Sequence, residues 1–292
     1  MSTTPQLSVV IAVKDAEANL DRILQFLAAH ASQSVEYIFC VAGDQSPALA
    51  TTTLPSRVSY AEKNSLVPHL WRDGIMMARG DKVALTTAHC IPTDQWLEKA
   101  LLTDIASFPG IGGLVDNDPK ASAANWAIFF LRYLAFAPPR SAGVVRDIAA
   151  DNAVYSRTAI LSHQDLLADG FWEPSFHRRF HSEGKALFIE PSMIVTHHGL
   201  NDPWEFVRHR YAHGAEYGHS RAVEKSIAVR VGLVLVSPSV PILIMARIIR
   251  RLNGRPNYSK HLPRSLPWLI CFASAWGLGE AVGYFRALWA RK

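Results

Sequence analysis

Residues Leu7–Val13 (LSVVIAV) form an unbroken apolar, β-branched run, the pattern of a strand buried on both faces. From Ala16 to Ala29 the period changes, and Leu20, Ile23, Leu24 and Leu27 fall on one helical face. A second buried strand is predicted over Val35–Val41 (VEYIFCV), ending in the turn Ala42-Gly43-Asp44, and a short third over Val58–Ala61. A helix over Leu66–Ala78 is closed by Arg79-Gly80. Lys82–Thr86 (KVALT) is the next strand, and Thr93–Ser107, with Trp96, Leu97 and Leu101, the next helix. This β-α-β-α order predicts an open, mostly parallel sheet flanked by helices. Such sheets bind ligands beyond the carboxyl ends of their strands, where Val13-Lys14-Asp15, Gly43-Asp44 and Thr87–Cys90 lie. The pattern ends in two apolar blocks, Val231–Ala246 and about Leu266 to Leu278.

Composition narrows the choices. Hydrophobic residues are 49% of the 292, and charged residues only 19%, below the roughly 25% of an average soluble domain. Disorder, collagen-like repeats and a disulfide scaffold are excluded. Cys40, Cys90 and Cys271 are far apart with no CxxC spacing, which predicts reduced thiols and argues against structural zinc. The N-terminus has no basic region ahead of an apolar run, so no signal peptide is expected.

The net charge of +5 is unevenly spread. From Arg208 to Lys292 there are fourteen Lys/Arg against three acids, whereas residues 1–207 have a balance of −6. An acidic body with a basic, apolar tail implies attraction to an anionic surface. The basic residues flank the apolar blocks, which selects a membrane over nucleic acid; no nucleic-acid module is recognisable. Each block is shorter than the roughly 20 residues of a spanning helix, and the link between them holds Arg247, Arg250, Arg251, Arg255, Lys260 and Arg264. Helices lying in the interface, or dipping in and returning, fit this better than a spanning hairpin or a soluble helical subdomain or oligomer interface. The expected division is 1–220 for the α/β domain and 221–292 for a membrane-associated helical tail.

Four segments, in order, resemble family 2 glycosyltransferases of the GT-A fold. They are SVVIAVKDAEANL, EKNSLVPHLWRDGIMMARGDKVALTTAHCIPTDQWLEKAL, DNAVYSRTAIL and GFWEPSFHRRFHSEGKALFIEPSMIVTHH. The resemblance covers about residues 7–220, and WGLGEAVGYFRAL is similar to the membrane-associated ends of some members. It implies a Rossmann-like GT-A domain that moves a sugar from a nucleotide diphosphate to an acceptor hydroxyl, with inversion. The acceptor would be a glycan or lipid, at the cytoplasmic face of a membrane. A partner glycosyltransferase or a homo-oligomer fits the same picture.

The resemblance also assigns residues. Glu173 takes the place of the second acid of an E-D pair, with Trp172 at the first, and is the expected base. Val13, Lys14, Asp15, Asp44, Lys63, Asn64 and Arg72 border the expected nucleoside and phosphates. Asp151 and Asn152 lie where donor sugar and acceptor meet, with helix capping as the alternative role. The family's D-x-D falls on Thr87-Ala88-His89, so both carboxylates are missing, and its acidic pair after the second strand is Val41-Ala42. His89 and His197, with His198 as the alternative to the latter, are the expected ligands of a divalent metal, Mn or Mg, imidazole suiting Mn better than Mg. Metal-independent neutralisation of the diphosphate by Arg or Lys is the rival. Outside these positions, His177, Arg178, Arg179 and His181 read as a basic helix face, either solvated or binding a lipid phosphate. Arg210, Tyr211 and His213 either close over the diphosphate or pack a helix. Two other functions compete: a degenerate scaffold that binds a nucleotide or a partner transferase, and a nucleotidyltransferase. The second expects a Gly-rich loop where this chain has KDAEAN.

Overall fold

The computed structural model describes residues 4–14, 17–44, 46–199, 202–223 and 225–289. Asp15, an expected donor contact, lies outside the described residues. The chain forms two compact units, one of Met1–Asp118 with Phe136–His198, the other of Pro119–Ala135 with Gly199–Lys292.

The first unit is a mixed α/β structure. Its strands are β1 (Leu7–Val13), β2 (Val35–Ala42), β3 (Ser56–Ala61), β4 (Lys82–Thr87), β5 (Cys90–Pro92), β6 (Gly110–Asn117), β7 (Gly143–Val145), β8 (Asn152–Ser156) and β9 (Leu187–His197). They lie in the order β3-β2-β1-β4-β8-β6-β9-β5, with β7 also on β9. β1 to β4 are mutually parallel, and β6 is parallel to β9. β8 is inserted in reverse between β4 and β6. Every residue of β1 is buried, as its unbroken apolar run requires. The helices of this unit are α1 (Glu17–Ala29), α2 (Pro47–Thr51), α3 (Val67–Met77), α4 (Trp96–Leu102), α6 (Arg157–Leu161), α7 (Gln164–Leu167) and α8 (Glu173–Ser182). One core joins Val10 and Ile38 of the sheet to Leu70, Trp71 and Ile75 of α3 and to Phe171, Phe176 and Phe180.

The helix expected through Ser107 ends at Leu102. There the Thr103 hydroxyl donates to the Ala100 carbonyl, and the Asp104 carboxylate accepts the Ala106 and Ser107 N–H groups. Short polar side chains thus offer the backbone an alternative to the next helical turn. Cys40 and Cys90 are buried, Cys271 is half-buried, and all three are free thiols.

The second unit contains α5 (Ala123–Arg132), α9 (Pro203–Ala222), α10 (Ile227–Val236), α11 (Val240–Leu252), α12 (Pro256–Ser259) and α13 (Leu262–Trp289). The apolar helices are longer than the sequence blocks suggest. Ser237–Ser239 forms a single 3-10 turn that joins α10 to α11. Pro238 and Pro241 sit at the starts of helical segments, where a missing N–H is tolerated, and the Ser237 and Ser239 hydroxyls donate to the Val234 and Val236 carbonyls. By length and composition alone, Ile227–Leu252 (26 residues) and Leu262–Trp289 (28 residues) are each sufficient to cross a membrane.

Glycines bring α9 against α13. A Cβ at Gly279 would lie 2.1 Å from the Tyr211 carbonyl oxygen, and one at Gly283 2.1 Å from that of Ala215. Glu280, buried in this contact, accepts a bond of 3.0 Å from Trp276 Nε1, bonds the Tyr284 hydroxyl and lies 3.6 Å from Arg221.

Candidate functional site

The strand directions bring several expected residues to one edge of the sheet. In the register, Ala12 faces Thr87, while Asn117 and Cys90 flank His197. β8 runs the other way, so its first residue, Asn152, faces Thr86 near the end of β4. Lys14, Thr87-Ala88-His89, Asn117, Asp151 and His197-His198 therefore share this edge.

Their side chains are not equally available. Val13 and Ala88 are buried, and Ala88 N–H donates to the Ala12 carbonyl at 3.0 Å, so their side chains present nothing polar to a ligand. Asn152 is fully buried. Its Oδ1 accepts from Trp96 Nε1 at 2.7 Å, and its Nδ2 donates to the Leu114 and Met193 carbonyls at 2.8 and 3.0 Å. That amide pins β6, β8, β9 and α4 together; Asp151, the charged member of the pair at the edge, is buried as well. Two other polar atoms here, Thr87 Oγ1 and Asn117 Nδ2, are buried without a hydrogen-bond partner among the described residues.

The histidines form a chain of contacts. His89 Nε2 lies 3.0 Å from the Lys14 carbonyl oxygen, and Nδ1 lies 3.2 Å from that of His198 and 3.4 Å from Asn19 Nδ2. The rings of His89 and His197 have centroids 6.4 Å apart. His197 Nδ1 is 3.5 Å from Asn117 Oδ1. His198 Nδ1 sits 3.2 Å from both Asp118 Oδ2 and an Arg22 nitrogen. Partial burial holds His198 below its ordinary pKa, against Asp118 and assisted by Arg22. A divalent metal on His89 would have to displace one of the two carbonyls at its ring nitrogens. Among the described residues, no three of His, Cys, Asp and Glu gather as a ligand set. As placed, this donor set does not fit a metal ion, and the Thr87-Ala88-His89 loop lacks the carboxylate oxygens that Mg²⁺ prefers.

On the other side of β1, Lys14 Nζ donates to the Ser65 carbonyl at 3.0 Å and reaches that of Lys63 at 3.5 Å. Gly43 has φ +109 and donates its N–H to the Ala61 carbonyl at 2.9 Å. A Cβ on it would lie 4.0 Å from Lys63 Cγ. Lys14, Asp44, Lys63 and Asn64 thus cluster at the tips of β1 to β3. Arg72 turns elsewhere, pairing with Asp73 at 2.8 Å and donating to the Ala168 carbonyl at 3.2 Å.

Glu173 is the first residue of α8 and is half-buried. Its Oε2 accepts the Ala150 N–H at 3.1 Å, one residue before Asp151, which places the carboxylate by the start of β8. The approach to α8 is docked on the start of α3: Phe171 N–H donates to the Pro68 carbonyl at 2.8 Å, and the His69 and Trp172 rings meet edge to face at 6.2 Å. Gly170 permits this with φ +110, since a Cβ there would lie 2.8 Å from His69 Cδ2.

One helical turn after Glu173, His177 is buried rather than set on a solvated basic face. Its Nε2 is 3.0 Å from the Tyr155 hydroxyl and its Nδ1 3.4 Å from Asp147. Burial lowers its pKa to about 4 despite Asp147. Arg178 bonds Ser175 at 3.1 Å, Arg179 pairs with Asp165 at 2.8 Å, and His181 Nε2 is 2.7 Å from the Arg146 carbonyl. In the second unit, the Arg210 guanidinium lies over the Trp276 ring at 4.1 Å, so it packs the contact between α9 and α13.

The tertiary partners Asn19, Arg22, Asn117, Asp118 and Tyr155 carry no sequence signal, because ordinary polar residues on separate elements have no characteristic spacing. A separate hollow of about 430 Å³, lined in part by Lys99, Thr103, Phe108, Phe188 and Glu190, contains none of the expected residues.

No protein-family model matches the sequence, and no curated protein matches it. Among solved structures, the mannosyltransferase PcManGT from Pyrobaculum calidifontis, in complex with GDP-Man and Mn2+, is similar with a TM-score of 0.53 at 11% identity. The match covers 93% of this chain and 87% of that one. A mycobacterial protein also matches, with a TM-score of 0.48, 13% identity and coverage of 72% and 73%. The first likeness shows the fold: this chain has the α/β GT-A architecture that its motifs resemble, with two apolar C-terminal helices.

Proposed function

We propose that this protein is a glycosyltransferase acting at a membrane, moving a sugar from a nucleoside-diphosphate donor to a hydroxyl of a glycan or lipid. One observation carries the reading: the Glu173 carboxylate is fixed by Ala150 N–H beside Asp151, on the strand edge that also presents Lys14, Thr87 and His89. The PcManGT complex with GDP-Man, on the same fold, supports the donor class.

In this reading the nucleoside lies over the tips of β1 to β3, between Lys14, Asp44, Lys63 and Asn64. Asp151 meets the sugar. The acceptor oxygen bonds to the anomeric carbon as the bond to the diphosphate oxygen breaks, and Glu173 receives the hydroxyl proton. The Ala150 N–H aims one carboxylate oxygen. Lys14 and Lys63 offset the charge that develops on the leaving diphosphate.

A second reading is favoured by the His89 geometry and the missing carboxylates: a scaffold that binds a nucleotide or partner transferase without turnover. A thermal-shift screen of UDP-, GDP- and TDP-sugars, with and without Mn²⁺, separates the two. A shift with one donor, followed by its slow hydrolysis, is the expected result for an enzyme. Binding with no hydrolysis or transfer selects the scaffold, and no shift with any donor removes the transferase reading.

A further inference from the structure

α9 lies along α13 in the same direction. Trp204 meets Trp268, Phe206 meets Phe272, Arg210 covers Trp276, Gly218 abuts Glu280, and Ala222 packs near Ala287. α10 and α11 return in the opposite direction. Arg230 on α10 bonds the Ala287 carbonyl, and Pro241 on α11 touches Gly277. These three helical runs form one slab of unlike parts. α9 exposes the charges of Arg208, Glu216 and Arg221 beside the amphipathic rings of Trp204, Tyr211 and Tyr217. α10, α11 and α13 instead expose large aliphatic and aromatic side chains, among them Ile227, Leu235, Ile242, Leu243, Leu278 and Trp289, each more than half accessible.

Length and composition alone would let α10–α11 and α13 cross a bilayer. The helix packed against them argues otherwise. α9 carries Glu205, Arg208, Arg210, Glu216 and Arg221 within its 20 residues. Each charge held at the bilayer centre is costly, and five together compound that cost. If α13 spanned, α9 would be carried to the same depth, because the backbones touch at Gly214, Gly279 and Gly283. A hairpin that left α9 behind would have to break that packing.

We propose that this slab is a one-sided membrane platform: its apolar face lies in a single leaflet of an anionic bilayer, α9 remains on the water side, and no segment crosses. Charge complementarity selects the leaflet. Arg247, Arg250 and Arg251 are exposed toward the end of α11, and the chain from Arg208 onward holds fourteen basic against three acidic residues. The inference rests on the membrane part of the proposed function and is independent of the transfer chemistry.

Single cysteines report the sidedness. In the full chain with Cys271→Ser, where Cys40 and Cys90 are buried, Ser226→Cys probes the turn between α9 and α10, and Asn253→Cys the link after α11. In sealed vesicles displaying the α/β unit outward, a membrane-impermeant maleimide is expected to label both positions without permeabilisation. Protection of Ser226→Cys would mean that α9 crosses with α13; protection of Asn253→Cys alone would mean a hairpin. Either result overturns the platform.

A second measurement uses the unmodified chain and vesicles of phosphatidylcholine with or without phosphatidylglycerol. Co-sedimentation is expected to rise at least about tenfold with the anionic lipid, and to fall by a similar factor in Leu235→Glu/Leu243→Glu. A chain that ignores vesicles and forms a dimer in buffer would show that a second copy covers the face, which also overturns the proposal. Hydrolysis of a nucleotide-sugar by the detergent-solubilised chain reads the transferase separately, so the two failures are distinguishable.

Discussion

The two ends of the same sheet differ in how Glu36 and Thr87 are held. At the amino end, the buried Glu36 carboxylate accepts the Ser8 hydroxyl at 2.7 Å, Arg79 N–H at 2.6 Å and Arg79 Nε at 3.0 Å, with Arg57 at 3.5 Å. The Ser8 oxygen itself accepts Gly80 N–H at 2.9 Å. The network closes around Glu36, although at the same end the Tyr37 hydroxyl and Arg157 Nε are buried without partners among the described residues. At the carboxyl end, Thr87 Oγ1 and Asn117 Nδ2 are buried without partners among the described residues. A buried unpaired polar group costs about 1–3 kcal/mol. In the proposed transferase, the Glu36 network holds strands together, while Thr87 and Asn117 offer unpaired polar atoms at the donor edge.

Glu173 offers the strongest test of this contrast. Glu173→Gln keeps the shape and removes the base, so transfer is expected to fall about a thousandfold while the donor-induced thermal shift persists. Near-normal turnover would remove Glu173 from the mechanism. At the opposite end, Glu36→Gln is expected to cost about 1–3 kcal/mol in urea unfolding and to leave donor affinity unchanged. Burial alone would raise the Glu36 pKa, but bonds from Ser8 and Arg79 and the Arg79 charge together hold it below its ordinary 4.5. A lowered folded-state pKa stabilises the protein above about pH 4.5, and that contribution is lost as pH falls through the folded value. The native chain should therefore lose more stability on acidification below pH 4.5 than Glu36→Gln does.

Smaller effects probe the same contrast. Lys14→Met is expected to weaken donor binding by about tenfold, read by calorimetry, with a small change in melting temperature. Thr87→Val replaces an unpartnered hydroxyl by a methyl of the same shape. It should leave stability within about 0.5 kcal/mol of native, or raise it, while lowering donor affinity a few-fold. A Thr87→Val protein that unfolds as readily as Glu36→Gln would erase the distinction between the two ends.

Much of the first unit is legible in the chain. The unbroken run of β1 and the Leu20, Ile23, Leu24, Leu27 stripe of α1 give period and burial directly, and every residue from Val35 to Val41 is buried as the pattern of β2 predicts. The end of α4 is not legible, because it depends on Thr103 and Asp104 capturing backbone groups locally. Nor is the full length of α10 and α11, which extends beyond the Val231–Ala246 block at both ends, with the Ser237 and Ser239 hydroxyls bonding the preceding carbonyls. At the site, order along the strands places Lys14 and Thr87 at one edge. Which side chains face inward is a tertiary matter: Asn152 is consumed by three bonds to other elements, and His177 turns to Tyr155. The small residues of α9 and α13 carry a signal, yet only the pairing shows that Gly214, Gly218, Gly279 and Gly283 are two sides of one contact.

The reversed strand β8 constrains how such a molecule can change its specificity. Its neighbours deliver residues to the ligand edge as they leave the sheet, whereas β8 delivers Asp151 as it enters. Lengthening or shortening residues 146–150 would therefore reshape what the edge admits and shift the Ala150 anchor of Glu173 at the same time. Residues 157–167 depart from the opposite end and reach Glu173 through α8, where Asp165 pairs with Arg179. In the proposed transferase, selectivity and base alignment would thus be tied to one short stretch of backbone, and neither could drift far without the other.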